Sequence, residues 1–116
     1  MRKTIHMLLG TMLLVSISST ADGDSSKEAA WIEVGKDAVR SRLKDPQSAQ
    51  FRNTFFNYAT LEGKRIPVSC GQVNARNSFG GYTGFKRYVS AGEGLTFLES
   101  DVSDFENVWN TLCGKY

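Results

Sequence analysis

Four acids stand close together near the end of this 116-residue chain: Glu99, Asp101, Asp104 and Glu106. Two carboxylates at a set separation are enough for glycosidase-type hydrolysis, one protonating the leaving oxygen while the other attacks or activates water. Glu99 with Asp101 or Asp104 is the pair that a hydrolase of envelope polymer would use. The same stretch also has a structural use. In Ser103-Asp104-Phe105-Glu106 the serine and glutamate stand at capping-box spacing, where each side chain satisfies a free amide and negative charge suits a helix start. The capping reading takes precedence, and no catalytic residue is assigned.

Other reactive side chains are few, one histidine and two cysteines. His6 lies in a segment built as an export signal. Met1-Arg2-Lys3 is positive, residues 7–15 are apolar, and residues 16–20 are small and polar before Ala21, with cleavage expected after Ala21. The apolar run falls short of the ~20 residues needed to cross a bilayer. No cysteine lies near the cleavage point to carry a lipid anchor. The expected compartment is the periplasm or the exterior, with no membrane span after cleavage.

Removal of residues 1–21 leaves 95 residues with 12 basic and 12 acidic side chains and no histidine. The whole-chain charge of +2 therefore belongs to the leader. Without imidazole, neither a Ser-His-Asp nor a Cys-His pair can be assembled. Zinc sites that need histidine are excluded, as is a four-thiolate site, so no metal and no cofactor is expected. The glycines lack the following Lys-Ser/Thr of a phosphate-cradling loop. The 41% apolar content is that of a globular domain.

Cys70 and Cys113 are the whole cysteine complement, and an even count in an exported chain reads as a disulfide. It would close a loop of about 44 residues, worth ~4 kcal/mol in chain-entropy terms.

The elements that must position these residues follow from periodicity. Residues 22–27 read as a flexible N-terminus and 28–116 as one α+β domain. Ser25 with Glu28 repeats the capping-box spacing and opens a helix over 28–43, with Trp31, Ile32, Val34, Ala38, Val39 and Leu43 on its apolar side. Asp45-Pro46 ends it. The period then shortens to two, giving strands over 51–58, 65–75, 82–89 and 95–99, with turns at 61–64 and 91–94. A closing helix over 104–113 carries Phe105, Val108, Trp109 and Leu112 as a buried stripe. The expected architecture is helix, four-stranded antiparallel meander, helix, with both helices on one face of the sheet. Cys70 on the inward face of the second strand then meets Cys113 at the last turn of the closing helix.

The run from Asn74 to Tyr88 combines glycines, aromatics, basic side chains and asparagines. If Phe85 and Val89 face the core, alternation sends Tyr82, Lys86 and Tyr88 to an open face. Tyrosine and arginine are common recognition anchors. Asn74, Arg76, Asn77, Phe79, Tyr82, Lys86, Arg87 and Tyr88 are the candidate binding residues; the competing use of the stretch is in tight turns, a bulge and the sheet rim. Residues 36–87 hold ten basic and three acidic side chains, which favours an anionic protein or envelope partner. Export argues against nucleic acid.

Lys44-Asp45-Pro46-Gln47-Ser48-Ala49-Gln50-Phe51-Arg52, followed by the run from Cys70 to Tyr88, resembles a family of small exported proteins of Gram-negative bacteria and their prophages. The resemblance spans roughly residues 28–113. It implies export and a common fold, and it carries no assigned activity, catalytic residue or ligand. Together these readings favour a small non-enzymatic binding module, inhibitory or protective. A structural accessory subunit of an envelope or phage-related assembly, or the hydrolase above, is the alternative.

Overall fold

The computed structural model describes residues 25–114, so the expected export signal and residues 22–24 lie outside the described residues. Helix α1 occupies 25–40. Ser25 and residues 26 and 27 are thus already helical, and Ser25 does not cap a later start. A 3-10 turn at Pro46–Ser48 leads into strands β1 (Gln50–Leu61), β2 (Lys64–Asn74), β3 (Lys86–Ser90) and β4 (Thr96–Leu98), followed by helix α2 (Phe105–Leu112). The sheet is antiparallel in the order β1-β2-β3-β4, an α+β meander. Among the described residues no helix is long and apolar enough to cross a membrane.

The β1–β2 turn is compact because Glu62 and Gly63 both take positive φ, 51° and 78°. That pairing of signs matches the right-handed twist of the flanking strands. Leu61 therefore pairs directly with Lys64, and the register runs on to Phe55 opposite Cys70.

Cys70 and Cys113 form the disulfide, with an S–S distance of 2.07 Å. Alternation puts Val68 and Cys70 of β2 on the same face as Val89 of β3, and there Phe105, Trp109 and Leu112 of α2 pack with them into one core. Phe55 meets Trp109 edge-on at 6.0 Å, and Asn57 Nδ2 donates to the Leu112 carbonyl at 2.8 Å, seating the end of α2 over β1.

The expectation that both helices share this face is overturned by the packing. The opposite face carries Val73, Tyr88 and Leu98, and Val39 of α1 buries them in a second core with Leu43, Ala49 and Phe51. Gly35 of α1 sits so close to the sheet that a Cβ there would stand 2.5 Å from the Ser69 Cβ. The sheet is therefore sandwiched between the helices. The physical reason is that Val73, Tyr88 and Leu98 form an apolar row that an uncovered face would leave in water.

The apolar side expected for α1 is only partly used. Ala38 and Val39 are buried, whereas Trp31 and Val34 remain exposed. The stripe on α2 is used as expected, with Phe105, Trp109 and Leu112 buried. Its expected capping box does not form. Asp104 is the N-cap without a side-chain capping bond, and Glu106 turns to Arg87 instead.

Candidate functional site

Between β2 and β3 the chain folds back as a small hairpin spanning 75–85. One bridge joins Arg76 to Tyr82, and Thr83 N donates to the Ala75 carbonyl at 3.3 Å. Asn77 closes the tip three ways: its N–H donates to Gly81 O, its carbonyl accepts from Gly80 N, and its Oδ1 accepts from the amides of Phe79 and Gly81. Gly80, at φ 85°, supplies the left-handed backbone that the tip needs. Asn74 holds the hairpin's other leg, its Oδ1 accepting from Gly84 N at 2.9 Å. Both asparagines thus serve the backbone of the loop.

The base of the hairpin rests on the 3-10 turn. Arg76 N donates to Ser48 Oγ at 2.9 Å, the Tyr82 hydroxyl donates to the Ser48 carbonyl at 3.2 Å, and the Arg76 guanidinium pairs with Asp45 at 2.9 Å. Ser48 is buried and itself donates to Asp45 O. Residues 45–48 and the 75–85 hairpin therefore touch each other, one as socket and the other as plug.

On this frame Phe79 stands at the tip with 96% of its surface in water, and Tyr82 beside it is half exposed. Lys86 is exposed where β3 begins. Asn74, Arg76, Asn77, Phe79, Tyr82 and Lys86 are brought together in or beside the hairpin. The remaining two candidates go elsewhere. Tyr88 is fully buried under α1, because the face expected to be open is covered. Arg87 points to the α2 face, since neighbouring residues of a strand alternate.

There Arg87 binds both members of an acid pair. Its Nη2 lies 3.0 Å from Glu99 Oε2 and 2.6 Å from Glu106 Oε1, while its backbone N–H donates to Glu99 Oε1 at 2.8 Å. The guanidinium also lies 5.2 Å from the ring centres of Phe105 and Trp109. Hydrogen bonds from the Arg87 amide and guanidinium hold the Glu99 carboxyl below the ordinary range, and the guanidinium does the same for Glu106. The arginine is raised in turn, chiefly by its bonds to Glu106 and Glu99. Glu99, the acid named for hydrolysis, is thus tied to a permanent cation, an arrangement that keeps it ionised and unsuited to donating a proton. Among the described residues no three His, Cys, Asp or Glu side chains gather where they could hold a metal ion.

Several cations of the middle segment have partners within the molecule. Arg52 stacks 3.8 Å from the Phe85 ring centre, Arg65 lies 3.7 Å from that of Tyr58, and Arg40 pairs with Asp37. Arg42 donates to the Thr96 and Glu93 carbonyls beside β4. Seven of the ten basic side chains, Arg42, Lys44, Arg52, Lys64, Arg65, Arg76 and Lys86, are nonetheless exposed.

Sequence reasoning missed the Asp45–Ser48 socket and the role of Gly35. A glycine in the middle of an otherwise regular amphipathic helix was the available signal for the latter, because it costs helix stability and needs a packing reason. For the socket no local signal existed. The chain matches no protein-family model, and no curated protein and no solved structure matches it significantly.

Proposed function

We propose that this chain is a non-enzymatic binding module, exported by the segment at 1–21 to the periplasm or beyond, which grips a protein or envelope partner with the 75–85 hairpin. The observation that carries the reading is Phe79. Its ring gains nothing from the fold, yet the backbone beneath it is tied down by Asn77 and seated on Ser48 and Asp45. Transferring such a ring from water into a partner's pocket is worth ~1.5–3 kcal/mol. A loop already held in one conformation loses little freedom on binding, so more of that gain reaches the affinity. Half-exposed Tyr82 widens the contact, and Lys86 adds a positive charge that suits an anionic rim. The disulfide supports an oxidising compartment.

The test is capture from an envelope extract, comparing the unaltered protein with F79S, followed by mass spectrometry of what is retained. A partner held by the first and lost by the second is the expected result, with the thermal midpoint unchanged because the ring touches no core. Identical captured sets would remove the hairpin from consideration.

A further inference from the structure

The sheet has two edges, and they are finished differently. β4 is three residues long, and Arg42 covers its Thr96 carbonyl. Shortness and a charged side chain are two of the devices by which proteins protect an edge. β1 is twelve residues long, and among the described residues no strand runs along its outer side. From Asn53 to Leu61 it contains no charge, no proline and no glycine, only aromatic, aliphatic, threonine, alanine and asparagine side chains. A long uncharged edge of high β propensity invites another strand.

The residue order says which strand. Thr54-Phe55-Phe56-Asn57-Tyr58-Ala59-Thr60 reads nearly the same in both directions about Asn57. If two copies of β1 pair antiparallel across a two-fold axis at Asn57, Thr54 of one stands opposite Thr60 of the other. Phe56 then stands opposite Tyr58, Phe55 opposite Ala59, and Asn57 opposite itself. Opposed residues lie on the same face, and Phe56 and Tyr58 already pack edge-on at 4.8 Å within one chain. The pairing extends these two rings into a four-ring ladder on the α1 side. Trp31 and Tyr58, two of the exposed large hydrophobic side chains, line one surface groove at this edge. Aromatic and threonine cross-strand pairs are favourable, and no like charges meet anywhere in the register.

We propose that the protein is a two-fold dimer in which two β1 strands pair through residues 54–60, forming one continuous eight-stranded sheet from two copies. The bulge between Arg52 and Phe55 sets one limit of the paired segment, since the ladder there is already irregular. The turn at Glu62 and Gly63 sets the other. The proposal concerns a surface apart from the hairpin and stands whether or not the hairpin binds a partner.

Sedimentation equilibrium of the unaltered protein over ~1–500 μM is expected to give twice the chain mass. Two double variants then test the register. T54E/T60E places like charges opposite each other twice, and should weaken the dimer about tenfold or more. T54K/T60E alters the same two threonines but opposes lysine to glutamate, and should sediment close to the unaltered protein. Within one chain positions 54 and 60 are about 20 Å apart at ~3.3 Å per residue, so the contrast reports contact between copies. Thermal melting checks that both variants fold. Hydrogen exchange on the unaltered protein decides the matter independently, because β1 amides should gain protection as concentration rises. A monomer at every concentration, equal weakening by both variants, or exchange that ignores concentration would each overturn the proposal.

Discussion

Behind each residue that faces α2 stands a neighbour that faces α1, and the two sets differ in kind. Toward α2 the sheet offers Val68, Cys70 and Val89 to two aromatic rings and a leucine, with a disulfide across the contact. Toward α1 the neighbours of those residues are Ser69, Tyr88 and Ser90, and the helix meets the two serines with Gly35. The first contact gains from area and covalent closure. The second gains from close approach, in which small groups let the helix backbone settle onto the sheet. Burial by area suffers when side chains are cut back, and burial by approach suffers when they are enlarged. The polar groups differ too. On the α2 side they are ionic, Arg87 with Glu99 and Glu106. On the α1 side they are hydroxyls: Ser90 bonds Thr96 at 2.8 Å, while Ser69 Oγ and the Tyr88 hydroxyl are buried without hydrogen-bond geometry to a partner among the described residues.

Four experiments would break or sharpen this contrast. Replacing both cysteines with alanine should cost about 4 kcal/mol in denaturant-induced unfolding, the loop-entropy value for a bridge of this span. A loss below about 1 kcal/mol would mean that the α2 contact does not need its staple. Gly35→Ala tests the other face. Helix propensity alone would make alanine stabilising by ~1 kcal/mol. The 2.5 Å approach to the Ser69 Cβ opposes it and should win, giving a net loss of about 1–3 kcal/mol. The double variant with Ser69→Gly should recover part of that loss, and absence of recovery would place the strain elsewhere.

The ionic side should be visible in pH dependence. Glu99 and Glu106 are held below the ordinary glutamate value, so the folded state binds their protons less readily than the unfolded chain. Their stabilisation is complete above the unfolded pKa of ~4.3 and is lost as pH falls through the lower folded values. Arg87→Met should lower stability at neutral pH and flatten that acid limb, as read by denaturant midpoints at stepped pH. An unchanged limb would assign the acid sensitivity to other carboxylates. The smallest effect belongs to Tyr88→Phe. Burial pushes this phenol up to about 12, opposed by the Ser69 hydroxyl. Since the hydroxyl makes no complete hydrogen bond, its removal should leave stability within ~0.5 kcal/mol or raise it. A loss above 1 kcal/mol would reveal a bond that forms in solution.

Much of the local structure was legible in residue order. The 3.6-residue stripe on α2, the strand period, the turn at Glu62-Gly63 and the pairing of two cysteines all depend on neighbours a few residues apart or on a count of two. Of the candidate site, Asn74, Arg76, Asn77, Phe79, Tyr82 and Lys86 came from a single contiguous run, and the structure keeps them together. Arg87 and Tyr88 left the group because a strand sends successive side chains to opposite faces, and only knowledge of what covers each face decides which is outside.

Sequence by itself therefore determined two helices and four strands in their order and the disulfide, since each follows from local periodicity or from elimination among few residues. The third strand begins at Lys86 and not at Tyr82, because residues 75–85 fold into their own hairpin. Tertiary structure alone decided that α1 crosses to the second face, that Glu106 leaves its capping role for Arg87, and that Asp45 and Ser48 receive the hairpin. These outcomes turn on contacts between residues 19 to 34 positions apart or more. No pattern within one element encodes them, because they are settled by which of several compatible packings buries the most surface and satisfies the most polar groups.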